Sequence, residues 1–263
     1  MTGIEGVLRH ERAVIAAGLV GVVALAWTYL WQGAGMGMPA LDMTTLSLFP
    51  HLQANVMGSM EADWPTVIAM WWVMMIAMMT PSATPLVLLY GVVLRRHPEA
   101  SQNASLSSLL LLAGYLTVWL AFAVSAAALQ KALEPTGLIS EMMLWSRSAA
   151  LSAAVLAAAG LYQRSTLKHA CLTQCRNPVR FLTEYWRPGR LGSFILGVRH
   201  GAYCVGCCWM LMALLFVGGV MNLVWIAVLT LFVLVEKLSP MGGNIGRVTG
   251  NLLIVWAVAT LLV

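Results

Sequence analysis

The chain reads as all-α: a polytopic transmembrane helical bundle of about seven spans (six if a marginal last one is discounted), with its N-terminus in the cytoplasm. Composition is the first reason. Of 263 residues, 60% are hydrophobic and only 10% charged, with a mean hydropathy of +0.82, whereas about a quarter of a soluble domain is charged. Run length is the second, because several apolar stretches approach or exceed the ~20 residues a helix needs to cross a bilayer. The third is that no stretch shows the period-two alternation of a barrel strand. A backbone in lipid must satisfy itself within its own segment, which leaves helices. No stretch has the composition of a separate soluble domain, so residues 1–263 are taken as one integral membrane domain.

The first span is 13–31. Arg9, His10 and Arg12 precede it, no small-x-small cleavage site follows it cleanly, and Trp27, Tyr29 and Trp31 suit an interfacial belt. It is read as a retained helix. Residues 32–64 form a methionine-rich extracytoplasmic loop, with Met36, Met38, Met43, Met57 and Met60 beside Asp42, His51, Glu61 and Asp63. The second span, 65–92, contains Pro81 and Pro85. Each removes a backbone donor and crowds the preceding turn, so a kinked or broken helix is expected. Spans three and four are 105–129 and 142–162, followed by a basic cytoplasmic segment, 163–200. Spans five and six, 202–219 and 221–237, are short and meet at Gly218-Gly219 as a tight hairpin, and 247–263 is the marginal seventh.

Orientation follows from Lys and Arg, which collect on the cytoplasmic side of multi-pass proteins. With the N-terminus inside, that side receives Arg9, Arg12, Arg95, Arg96, Arg164, Lys168, Arg176, Arg180, Arg187, Arg190, Arg199, Lys237 and Arg247, leaving Lys131 and Arg147 opposite. The net charge of +5 is thereby a topology signal, and no nucleic-acid partner is needed to explain it.

Chemistry-bearing residues are unevenly distributed. All five cysteines fall in one stretch, as His169-x-Cys171-x3-Cys175 and His200-x3-Cys204-x2-Cys207-Cys208, while methionines crowd MWWVMMIAMM. At 100° per residue, positions 200, 204 and 207 lie within about 60° of one helix face, with 208 beside them, and such spacings can converge on one ion. Inert packing of buried thiols and a redox pair are the competing readings. Cys171 and Cys175 share a face if their segment is helical, and the neighbouring cations, Lys168 among them, are expected to lower their pKa values and favour thiolate. A cytoplasmic location disfavours a disulfide. Met70, Met74 and Met78 repeat every four residues, with Met75 and Met79 alongside, and the stripe runs into Thr80-Pro81-Ser82-Ala83-Thr84-Pro85. Packing is the bland account of these methionines, and an ion path through an interrupted helix is the functional one. Glu236 and Lys237 end the sixth span, where snorkelling and a local ion pair explain them as well as function does. Asn222 reads as an interhelical hydrogen-bonding residue.

Four pieces, MWWVMMIAMMTPSATPL (70–86), the run from Tyr162 to Lys168 with CLTQCRNP (171–178), GVRHGAYCVGCCWMLMALLFVGGVMNLVWIA (197–227) and VLVEK (233–237), resemble a bacterial family of uncharacterised integral membrane proteins predicted to bind metal. The resemblance covers most of 65–238, marking a metal-binding-like core. It implies metal binding in a multi-pass protein of the bacterial inner (cytoplasmic) membrane, with no established substrate. The matching candidate ligands are Met74, Met75, Met78, Met79, Cys171, Cys175, His200, Cys204, Cys207 and Cys208; Met70 and His169 join them from the residue pattern alone.

Thiolate, thioether and imidazole are the soft donors that select copper(I). The expected function is therefore copper(I) binding for transport or delivery, with methionines outside and cysteines near the inside as a gradient of rising affinity. Zinc remains an alternative ion. No P-loop or aspartyl-phosphate motif points to ATP-driven transport. Competing functions are a membrane thiol–disulfide oxidoreductase using Cys204-x2-Cys207, and a non-catalytic subunit or assembly factor of a larger membrane complex. Expected partners are the bilayer, the metal ion and a metallochaperone or membrane complex.

Overall fold

The computed structural model describes residues 2–37, 39–44, 63–95, 104–140, 144–239 and 242–262, with side chains of the first helix described from residue 13 onward. Helix α1 (Thr2–Trp31) is followed by α2 (Trp64–Arg95) and α3 (Ala104–Leu133). A 3-10 turn, Glu134–Thr136, closes α3. The chain continues through α4 (Ala149–Gln163), α5 (Thr166–Arg176), α6 (Pro178–Tyr185) and α7 (Gly189–Ala213). The one-turn α8 (Leu215–Gly218), α9 (Leu223–Leu238) and α10 (Gly242–Leu262) complete it.

Among the described residues, five stretches are long and apolar enough to cross a membrane: Ala13–Trp31, Trp64–Arg95, Ala104–Thr136, Gly189–Gly218 and Gly242–Leu262. About seven were expected. The difference lies in α4 and α9, of 15 and 16 residues, which at ~1.5 Å per residue fall short of a ~30 Å hydrocarbon core. The expected span at 142–162 is shortened because Ile139 and Ser146 pair as an isolated bridge, Ser146 N–H bonds Phe216 O at 2.8 Å, and Ser148 caps α4. Conversely, α7 starts at Gly189 and not near 202, and the basic segment expected as a connector contains α5 and α6.

Helix α2 is also unbroken, running through both prolines. Ser82 Oγ bonds back to Met79 O at 2.8 Å and Thr84 Oγ1 to Thr80 O at 3.0 Å. Trp71 Nε1 donates to Gln130 Oε1 at 2.8 Å and Trp72 Nε1 to Leu116 O at 3.2 Å, fixing α2 against α3. The tightest crossing joins α3 and α7. Gly114 and Gly197 face the opposing backbones there, and a Cβ on either would collide with Phe194 O or Leu111 O respectively. The α8–α9 connection turns at Gly219 (φ 97°), where the sequence placed a turn, but α9 packs mainly on α2 and α10 and not on α7 as a tight hairpin would. Asn222 joins two helices over a short reach: its Oδ1 caps α9 by accepting from Val224 N and Trp225 N, while Nδ2 donates to Gly218 O at the end of α8.

Candidate metal centre

The spacing on α7 carries through to three dimensions. His200, Cys204, Cys207 and Cys208 all face inward, none more than 2% exposed. Short helix α5 packs against α7 and brings the second motif to the first. Cys175 Sγ lies 3.9 Å from Cys207 Sγ, and Cys207 Sγ lies 3.3 Å from Cys208 Sγ. Cys207 also donates to the Cys204 carbonyl at 3.1 Å. All five cysteines are free thiols. Cys171, one turn before Cys175, is half-buried at the rim with its sulfur against Gly206. Two motifs about thirty residues apart thus form one buried thiol cluster of four, with a fifth at its edge.

Metal–thiolate bonds of about 2.3 Å place two sulfurs about 3.8 Å apart around a tetrahedral ion and about 4.0 Å apart around a trigonal one. The Cys175–Cys207 separation fits this range; Cys207 and Cys208 would have to spread to share an ion. Among the described residues no three His, Cys, Asp or Glu side chains stand ready around one point. What is preformed is a thiol pair from two helices, with further sulfurs within a small movement.

The two histidines do not complete the cluster. His200 packs between Tyr115 and Phe181, with ring centroids 5.7 and 5.1 Å away, and its Nδ1 has no hydrogen-bond partner among the described residues. His169 lies beside Gly243 of α10. Met70, Met74, Met75, Met78 and Met79 are all at most 1% exposed, so the stripe faces protein. Its last member reaches the cluster through the backbone, because Tyr115 OH donates to Met79 O at 3.1 Å and lies 3.0 Å from Cys204 Sγ. In the methionine-rich loop Met43 is buried and Met36 half-buried; Met38, Met57, Met60, His51 and Glu61 lie outside the described residues, as does Arg96.

Residues that spacing did not single out supply the electrostatics. Lys237 is buried, with Nζ 2.8 Å from Cys204 Sγ and 3.0 Å from Ser82 Oγ. Glu236 turns the other way, and its Oε2 pairs with Lys168 Nζ at 2.7 Å, both residues no more than 2% exposed. Lys168 also bonds Gln163 Oε1. Neither α9 residue snorkels and they do not pair with each other; an ionisable dipeptide ending an apolar run was the available signal. With Lys168 turned to Glu236 and Arg176 bonded to Ser239 O, these two cations do not depress the thiols on α5, and the pull of Lys237 on Cys175 is outweighed. Burial raises the Cys171 pKa. Its hydrogen bond with Cys204, assisted by burial, raises that of Cys175. This reverses the thiolate-favouring shift expected from the basic neighbours.

An all-helical apolar protein enclosing a thiol pocket in contact with a lysine is the class that fold and site define. Residues 68–260 match the family model PpoB2, described as a copper chaperone, and the chain belongs to that family. The matched region runs from α2 to α10 and includes the methionine stripe and both thiol motifs. No curated protein and no solved structure matches the chain.

Proposed function

We propose that the protein holds copper(I) as cargo in the thiol pocket of a membrane-embedded bundle and passes it to an acceptor. Family membership supports copper, and five membrane-length helices support the bilayer. The observation that carries the site assignment is the Cys175–Cys207 pair: two sulfurs from different helices, 3.9 Å apart and out of solvent. Soft, dehydrated sulfur donors favour copper(I) over hard cations. Cys204 and Cys208 serve as the adjoining ligands among which an ion can shift, and half-buried Cys171 as the outermost thiol. The clustering of Lys and Arg around both thiol motifs supports a cytoplasmic placement of these thiols in the bacterial inner membrane, with the short helices α4 and α9 completing the crossings that this orientation needs and the buried methionines as weaker thioether donors toward the other face.

A thiol–disulfide oxidoreductase needs sulfurs that a partner disulfide can reach. Cys204, Cys207 and Cys208 are at most 2% exposed, which favours a closed metal pocket. The test is copper analysis of the full chain, purified anaerobically in detergent and loaded with copper(I). Wild type should retain stoichiometric copper, Cys175→Ser and Cys207→Ser should lose it, and Cys171→Ser should keep it. A folded wild type that takes up no copper(I) sinks this reading.

A further inference from the structure

We propose that Lys237 sets the charge selectivity of the thiol pocket, favouring a monovalent cation such as copper(I) over a divalent one such as zinc(II). The proposal rests on the reading of the pocket as a metal site and names what discriminates within it.

The lysine is unusually placed for a buried cation. Its ammonium contacts a thiol sulfur at 2.8 Å and a serine hydroxyl at 3.0 Å. The carboxylate next to it in sequence is committed to Lys168 on the other side of α9. A buried positive charge therefore stands against the sulfur donors, where a charge is weakly screened.

An ion bound by Cys204 through a bond of about 2.3 Å lies no more than about 5 Å from the ammonium nitrogen. At that distance, with an effective dielectric constant of about 20, a unit charge disfavours each positive charge on the ion by about two powers of ten. A monovalent ion meets that repulsion once and a divalent ion twice. The sulfurs attract both ions, and their softness favours copper(I) independently; replacing the lysine also alters Cys204, which it touches, but alike for either ion bound through that thiol, so the change cancels in the ratio. The ratio of affinities compared between wild type and variant isolates the lysine charge. The same ammonium offsets the net negative charge of copper(I) held by two thiolates, so it remains compatible with the cargo while opposing zinc(II).

The experiment measures copper(I) and zinc(II) dissociation constants of the full detergent-purified chain by anaerobic competition with chromophoric chelators. Lys237→Met should shift the preference toward zinc(II) by at least tenfold. Lys237→Arg, which keeps the charge, should stay within threefold of wild type. Ser82→Asp is the second variant, because it leaves the lysine present and places a carboxylate on it; it should shift the preference in the same direction as Lys237→Met. A folded, copper-binding Lys237→Met whose preference stays within threefold of wild type overturns the proposal, as does Lys237→Arg shifting as far as Lys237→Met. If Lys237→Met does not fold, an unshifted Ser82→Asp overturns it. A wild type that binds no copper(I) is a different failure, that of the metal-site reading itself.

Discussion

Lys168→Met removes the ammonium that lies 2.7 Å from Glu236 Oε2 and leaves a carboxylate buried at 2% exposure, its Oε1 already without a hydrogen-bond partner among the described residues. Breaking a buried pair from one side costs about 3–5 kcal/mol, since the charge left behind has neither water nor counter-ion. Each kcal/mol corresponds to about 2–4 °C in a chain of about this size, so the midpoint should fall by about 6–20 °C. Lys168→Met with Glu236→Leu removes both charges, and replacing a buried pair by apolar groups is often neutral or stabilising. The double variant should therefore recover most of the loss. Thermal unfolding of the metal-free proteins in one detergent, followed by circular dichroism, reads both numbers. Maleimide labelling of Cys175 gives an independent readout, because α5, which carries that thiol, packs over Glu236 through Lys168, and a carboxylate left there without a counter-ion draws water into the contact whereas an apolar pair does not. The single variant should expose Cys175 and the double should protect it again. A single-variant midpoint within 2 °C of wild type would refute the assignment of the pair as buried and closed, and so would a double variant in which two losses add.

Two further outcomes are expected. Cys171 is the half-buried thiol, so iodoacetamide should modify it before the other four. Burial raises its pKa above the ordinary thiol value of 9.0, so its rate at neutral pH should lie below that of free cysteine and keep rising beyond pH 9; a mass-spectrometric pH–rate profile that levels off at or below free cysteine contradicts this. Gly197→Ala should destabilise by about 1–3 kcal/mol through overpacking against α3, although the same change in an uncrowded helix would stabilise by up to about 1 kcal/mol. The α3–α7 separation it forces should also move Tyr115 away from Cys204 and weaken copper(I) retention. Thermal unfolding and copper titration of one preparation check both effects.

What could be read from the sequence was whatever depends on neighbours along the chain. Helical class follows from composition, and the inward face of α7 from the spacing of His200, Cys204 and Cys207. The turn before α9 follows from Gly218-Gly219. Boundaries failed where a tertiary bond decided them: the start of α4 is set by Ser146 bonding to Phe216, and no window of apolar residues contains that information. The basic segment was misread because Lys168 and Arg176 look solvated in a hydropathy profile. In the fold Lys168 is buried on Glu236 and Arg176 bonds Ser239. The same oversight produced the wrong sign for the thiols on α5. A cation lowers a thiol's pKa only where it points at the sulfur, and these point elsewhere.

Glu236 and Lys237 show how one dipeptide joins the two thiol motifs. Consecutive residues on a helix project about 100° apart, so neighbours of opposite charge on α9 address different helices. Glu236 reaches α5 through Lys168, seven residues before Cys175, while Lys237 reaches α7 through Cys204, three residues before Cys207. The contact between Cys175 and Cys207 is therefore flanked by polar links to a common helix, and displacing α9 would pull on both sulfurs at once. A pocket built only from apolar packing would hold its thiols at a less defined separation, because hydrophobic burial is non-directional. Hydrogen bonds and ion pairs carry the directionality that a sulfur spacing of 3.9 Å requires. On this account the ionic residues at the end of α9 fix the geometry of the pocket as well as its charge. Their burial, which the end of an apolar run had seemed to make unnecessary, follows from that role.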